Sequence, residues 1–187
     1  MSRYTEKLIM QTFNEMLTEM PFDKITVSAL TRRSDISHNT FYYHYKDIYH
    51  LLTVWIRQEI TPYLQVGELY PDREHAICAL LHKWQDEERR IYHVFHSLSR
   101  EQMERYVYEQ AEKYFFEQVR AIPEAEPLDD SRVRQISSFA CFMFLGFLMR
   151  LLWNRMQDDV EKSVHELSIL LENFLRHAIR DARAGAL

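Results

Sequence analysis

Between Ser37 and His44 the chain reads Ser-His-Asn-Thr-Phe-Tyr-Tyr-His. With Phe41 set aside, every side chain in this run offers a hydrogen-bond donor and none is a carboxylate. Wound into a helix, such a segment presents donors to the acceptor-rich edges and phosphates of a nucleic acid. Its N-terminal end also carries the positive pole of the helix dipole. Asn39 matches the bidentate edge of adenine, and Thr40 brings a hydroxyl, or a methyl group against thymine. Tyr42, Tyr43 and His44 suit flanking phosphates, which position a protein without reading sequence. Upstream, Thr26 and Ser28, with the amides that open the preceding helix, suit a phosphate as well. The plainer alternative is a polar, aromatic-rich helix on an ordinary surface. Two tyrosines and two histidines between His38 and His44 are unusual for a merely solvated face.

Three capping side chains set out the elements that must hold this run. Thr26 stands where an N-cap belongs before a short helix over Val27–Arg33, Ser37 before one over His38–Tyr45, and Asp47 before a longer one from Ile48 to Thr61, stopped by Pro62. Ser34-Asp35-Ile36 joins the first two as a tight turn, the spacing of a helix-turn-helix. Val27 and Leu30 face inward, Ile36 plugs the turn, and Phe41 and Tyr45, four apart, anchor the second helix. An earlier helix over Arg3–Glu19 carries Ile9, Phe13, Met16 and Met20 on one stripe and ends at Pro21. Beyond Pro71 the apolar periodicity predicts helices over Asp72–Glu87, Arg89–Leu98, Ser99–Ile122, Asp130–Met156 and Glu161–Arg183, with a capping box from Ser99 to Gln102. Only three glycines and five prolines interrupt 187 residues, and no stretch alternates long enough to nominate a sheet, so the expected fold is all-α.

Composition excludes several classes. The net charge of −5 argues against bulk attraction to nucleic acid, yet the first fifty residues balance six basic against six acidic side chains, which leaves the acidic excess to the remainder. A neutral head is the part suited to contact DNA. Cys78 and Cys141 make neither a disulfide framework nor a convincing redox pair. His75, Cys78 and His82 share a helical face without a clear fourth ligand, so no metal is expected. The three glycines are isolated and cradle no phosphate, no nucleophilic motif stands out, and neither a cofactor nor enzymatic activity is expected. Met1–Lys7 runs into polar helical sequence rather than an apolar leader, so a cytoplasmic chain is expected. Ile136–Trp153 is eighteen residues of mostly apolar sequence, but it holds two serines and Arg150 and reads as a buried helix rather than a membrane span.

The residues from Thr26 onward resemble the tetracycline-repressor (TetR) family of transcriptional regulators. The family pattern runs Thr-x-x-x-Ile-Ala-x-x-Ala-Gly-Val-Ser-x-x-Thr-hydrophobic-Tyr-x-His-Phe-x-x-Lys-x-x-Leu. Here the chain runs without a gap from Thr26 through Leu30-Thr31, Ser34-Asp35-Ile36-Ser37, Thr40-Phe41-Tyr42 and His44-Tyr45 to Ile48 and Leu51. The match covers about the first fifty-five residues. By position it implies phosphate contacts for Thr26, Tyr42 and His44, and an approach to the major groove for Ser37, His38, Asn39, Thr40 and Tyr43. Three departures stand out: Asp35 replaces the turn glycine, Thr31 and Ser34 replace alanines, and Ile48 replaces the phosphate-binding lysine, for which Lys46 is the substitute in reach. The tyrosine-rich run also resembles a branch related to dihydroxyacetone-kinase operon activators, in which the effector can be another protein.

The resemblance further implies two domains, a DNA-binding head over 1–47 and a helical ligand-binding and dimerisation domain over 48–187. Its partners would be a palindromic duplex operator, a second copy of the chain, and a small apolar effector or a protein co-regulator. The last two helices would form a four-helix interface, for which the sequence nominates Phe139, Met143, Phe147, Arg150 and Leu151 on one and Leu167, Leu171 and Phe174 on the other. Apolar residues surround the first of these helices nearly completely, more than one intrachain face can use. Candidate effector contacts among the middle helices are Trp55, Tyr63, Trp84, Tyr92, Phe95, Tyr106, Phe115 and Phe116, although aromatics at helical spacing are more often plain core. The function expected is a dimeric repressor whose operator affinity an effector changes; the alternative is a regulator without a small-molecule pocket, governed by a protein partner.

Overall fold

The computed structural model describes residues 2–64 and 72–186. Among these, secondary structure consists of helices α1 (Ser2–Glu19), α2 (Val27–Arg33), α3 (His38–His44), α4 (Ile48–Ile60), α5 (Arg73–Asp86), α6 (Glu88–Phe95), α7 (Arg100–Arg120), α8 (Asp130–Trp153) and α9 (Val160–Arg183), with three short 3₁₀ turns and no strand. The all-α expectation holds.

Local chemistry explains where several helices begin. Thr26 accepts from the Ala29 amide at 3.2 Å, Ser37 from Thr40 at 3.0 Å and Asp47 from His50 at 2.7 Å. Each satisfies one of the amides that a helix start leaves without an intrahelical acceptor. The Ser99–Gln102 capping box closes in both directions, at 3.0 and 3.2 Å. Asp129 and Asp159 cap α8 and α9 in the same way, each at 2.9 Å.

Packing divides the chain into two units, Met1–Pro62 with Lys83–Met103, and Tyr63–His82 with Glu104–Leu187. These are packing units, whereas the 1–47 and 48–187 division expected from the sequence is a functional one.

In the first unit the expected stripe of α1 is buried at Ile9, Phe13 and Met16, joined by Leu17, and α1 packs on α2 and α6. Phe22 packs edge-on against Phe13 and Tyr49. A polar cluster fastens the helices around this core. Asn14 Oδ1 accepts from Trp55 Nε1 and from Arg90 Nη1, both at 2.7 Å. Glu59 Oε2 accepts from Lys83 Nζ at 2.7 Å and Arg90 Nη2 at 3.1 Å. Arg90 also pairs with Glu87 and lies over the Trp55 ring, 5.4 Å from its centroid. The guanidinium thereby ties α6 to α1 and α4, and Glu59 brings in α5 through Lys83.

In the second unit Val119, Ala125, Leu128, Val133, Ile136, Ala178 and Ile179 form a buried cluster, with Phe116 and Phe174 packed against it. Arg120 donates to the Leu128 carbonyl at 2.8 Å and pairs with Asp130, which closes the loop between α7 and α8. His82 meets Glu161 at 2.7 Å, and His165 meets Glu74 at 3.2 Å, two pairs that join α5 to α9.

Helix α8 is long and apolar enough to cross a membrane by length and composition, and half of its most apolar window is buried within the chain. It packs on α9 with Ala140, Cys141, Leu145, Leu148, Leu151 and Leu152 buried. Leu151 and Leu167, nominated for a dimer interface, lie inside this unit. The outward apolar side chains are instead Phe139, Phe142 and Trp153 on α8 and Ile169 and Leu170 on α9. Arg150 is exposed with them, and Met143, Phe147, Leu171 and Phe174 are half-buried. Gly146 lies on the same outward face, where an added Cβ would meet nothing within 4 Å.

Candidate nucleic-acid interface

The turn between α2 and α3 fixes the site. Asp35 adopts φ 51°, the left-handed conformation for which glycine is the usual residue and which aspartate tolerates better than most. The Ile36 amide then donates to Thr31 at 3.0 Å, and Ser34 Oγ donates to the Leu30 carbonyl at 2.8 Å, so both replacements of the family alanines sit in a buried, hydrogen-bonded corner. Leu30 and Phe41 are fully buried and Tyr45 nearly so, which anchors both helices to the core as the sequence predicts.

The opposite face of α3 is open. Tyr43 is 80% and Tyr42 55% exposed, and Ser37, His38 and Asn39 are exposed beside them. Large aromatic surface left to water on so short a helix is the feature to explain, because isolated tyrosine rings of this size are normally partly covered. The two rings are braced edge-on by neighbours, Tyr42 by Phe41 and Tyr43 by His44.

Several nominated side chains are already engaged, some as the caps expected of them and others with partners that the sequence did not reveal. The Ser37 hydroxyl caps α3 and lies 2.8 Å from Thr40 Oγ1, so both hydroxyls are engaged with each other. Thr26 Oγ1 likewise serves as a cap. Ser28 Oγ lies 3.1 Å from His38 Nε2, ten residues away. The His44 side chain is only 5% exposed, with Nδ1 3.2 Å from Glu6 Oε1. Such proximity of Glu6 to the end of α3 carries no sequence signal, since thirty-eight residues separate the pair. Glu6 and burial together push the Tyr45 hydroxyl up from its ordinary value, burial being the larger cause. Lys46 is exposed while its amide donates to His50 Nδ1 at 3.1 Å, and Ile48, where the family pattern has lysine, is half-buried at the start of α4. Asn39, Tyr42, Tyr43 and Lys46 are thus the nominated side chains most open to an approaching duplex.

The aromatic candidates for effector binding are distributed over both units. Trp55, Trp84 and Tyr92 are buried and Phe95 half-buried in the first. Trp55 is committed to Asn14 and Arg90, while Trp84 Nε1 is a buried donor with no partner among the described residues. Tyr63, Phe115 and Phe116 are half-buried in the second unit, where Arg134 lies 5.0 Å over the Phe116 ring. The side chain of Tyr106 lies outside the described residues. No cluster of three or more potential metal ligands occurs among the described residues.

A helix-turn-helix held on a small helical core, with a larger all-helical unit in the same chain, is an architecture that suits a DNA-binding regulator. Residues 72–173 match the TetR-type family described as the transcriptional regulator C-terminal region. The chain belongs to the TetR family of transcriptional regulators. A crystal structure of a transcriptional regulator (TerR/AcrR family) from Aquifex aeolicus VF5 shares the fold, with a TM-score of 0.51 and 20% identity over 90% of this chain and 98% of that one. No curated protein matches the chain.

Proposed function

We propose that this regulator binds a palindromic duplex operator as a homodimer in the cytoplasm, with α3 in the major groove. The observation that carries the reading is the solvent face of α3, where Asn39, Tyr42 and Tyr43 stand open to solvent while Phe41 and Tyr45 fasten the helix from behind. Two-fold symmetry would set two such helices about 34–36 Å apart, one turn of DNA. The outward apolar side chains of α8 and α9 support the dimer, because monomers seldom leave so much aromatic surface in water.

Repression is the mode that the family resemblance favours, with an effector in the larger unit altering operator affinity. Of the nominated aromatics, Tyr63, Phe115 and Phe116 are the better placed for that role. They are only partly covered, whereas Trp55, Trp84 and Tyr92 already serve as core.

Selection of bound duplexes from a random library tests the reading. Enrichment of a palindrome is expected. Asn39→Ala should then change the preferred base at one position per half-site, while Tyr42→Phe should weaken all duplexes alike, as loss of a phosphate contact does. Failure to enrich any sequence would overturn the assignment of α3.

A further inference from the structure

We propose that Ser28 is a specificity-determining residue that acts through His38, and not an independent phosphate contact. The inference rests on the reading of α3 as the base-reading helix.

Ser28 is the second residue of α2 and His38 the first of α3, and Ser28 Oγ lies 3.1 Å from His38 Nε2. The distance is not left to two wandering surface side chains. Thr31 Oγ1 donates to the Ser28 carbonyl at 3.3 Å, Ser34 Oγ and the Ile36 amide close the corner, and Asp35 holds its left-handed turn between them. The backbone geometry of the turn therefore sets how far the hydroxyl stands from the ring.

A neutral imidazole has one N–H and one bare nitrogen, and the partner of one nitrogen decides what the other does. When the Ser28 hydroxyl donates to Nε2, the hydrogen sits on Nδ1. When Nε2 carries the hydrogen instead, it donates to Ser28 Oγ and Nδ1 is the bare acceptor. In either arrangement the contact turns Nε2 toward Ser28 and leaves Nδ1 as the ring's other polar atom, at the N-terminal end of α3, where a recognition helix meets base edges. As a donor that atom suits a major-groove acceptor such as guanine N7 or O6, and as an acceptor it suits the amino group of adenine or cytosine, so a ring held in one arrangement distinguishes base pairs. Ser28 thus sets which nitrogen of His38 faces the duplex and in what orientation, and the two side chains read one base pair as a unit.

The test uses the full-length protein and the duplex enriched from a random library, followed by affinity measurements on that duplex and its single-base substitutions. Wild type should discriminate about tenfold at the position read by His38, the scale of one good base contact. His38→Ala and Ser28→Ala should each flatten that position and leave the others unchanged. The double variant should be no flatter than either single one. Ser28→Thr, which restores a hydroxyl, should retain the discrimination. Ser28→Ala weakening every duplex equally, or altering a position that His38→Ala leaves alone, would overturn the proposal and return Ser28 to the phosphate backbone. A wild-type chain that enriches no sequence would remove the underlying assignment of α3 itself, an outcome distinct from either.

Discussion

At the scale of single residues, Asp35 and the capping side chains carry the clearest consequences. A non-glycine residue at φ 51° is strained relative to glycine, though an aspartate less than most. Asp35→Gly is therefore expected to leave stability unchanged or raise it by up to about 1 kcal/mol in urea unfolding, because relief of strain is partly offset by the greater freedom of glycine in the unfolded chain. Asp35→Val should cost about 1–2 kcal/mol in the same measurement. The caps show why much of this region was readable in advance. Thr26, Ser37, Asp47 and Ser99 each act on an amide three residues away, and an interaction that local leaves its mark in the spacing of residue types. Ser28 with His38 and Glu6 with His44 are different: the fold brings each pair together across ten and thirty-eight residues, and nothing in either local pattern announces the partner.

At the scale of elements, two charged clusters decide how firmly the first unit holds its helices. Arg33 forks onto Glu19, Nη1 to Oε2 at 2.5 Å and Nη2 to Oε1 at 2.7 Å, and so joins the end of α2 to the end of α1. The hydrogen bond from Arg33 holds the Glu19 carboxyl below its ordinary value. A depressed carboxylate stabilises the fold above its unfolded pKa, about 4.3, and loses that contribution as the pH falls through the lower folded value. The stability gap between wild type and Glu19→Gln, followed by urea unfolding, should accordingly be present at neutral pH and narrow below about pH 4. A gap that stayed constant to the most acid conditions would show that the charge is not what matters. The cluster around Arg90 is more deeply set, with the arginine side chain 12% and Glu59 10% exposed. Arg90→Met should cost about 3 kcal/mol, because it strands the Glu59 carboxylate against Lys83 alone and leaves Asn14 short of a donor. Arg90→Met with Glu59→Met should cost less than the sum of the two single changes. No local pattern announces this cluster, since its members come from four separate helices.

At the scale of the whole molecule, the outward faces of α8 and α9 are the least legible part of the sequence. Apolar residues surround α8 nearly completely, so periodicity cannot say which of them serve the core and which face outward. That ambiguity placed Leu151 and Leu167 among the interface candidates and left out Phe142, Trp153 and Ile169. The exposed set predicts that Phe139→Glu with Leu170→Glu yields a monomer by light scattering without loss of helical content. Gly146 separates the two demands on α8 more finely. With nothing within 4 Å of an added Cβ, Gly146→Ala should stabilise an isolated chain by about 0.5–1 kcal/mol, as alanine does for glycine inside a helix. Gly146→Trp should block close approach of a second copy and shift the equilibrium toward monomer. A tryptophan variant that remains as dimeric as wild type would place the interface elsewhere.

The same outward face bears on how such a regulator responds to its own abundance. A dimer assembled on Phe139, Phe142, Trp153, Ile169 and Leu170 would dissociate on dilution, and below the dissociation constant the concentration of operator-competent dimer falls as the square of the chain concentration. Halving expression would then cut the active species about fourfold, so occupancy of the operator would register synthesis and turnover as sharply as any bound compound.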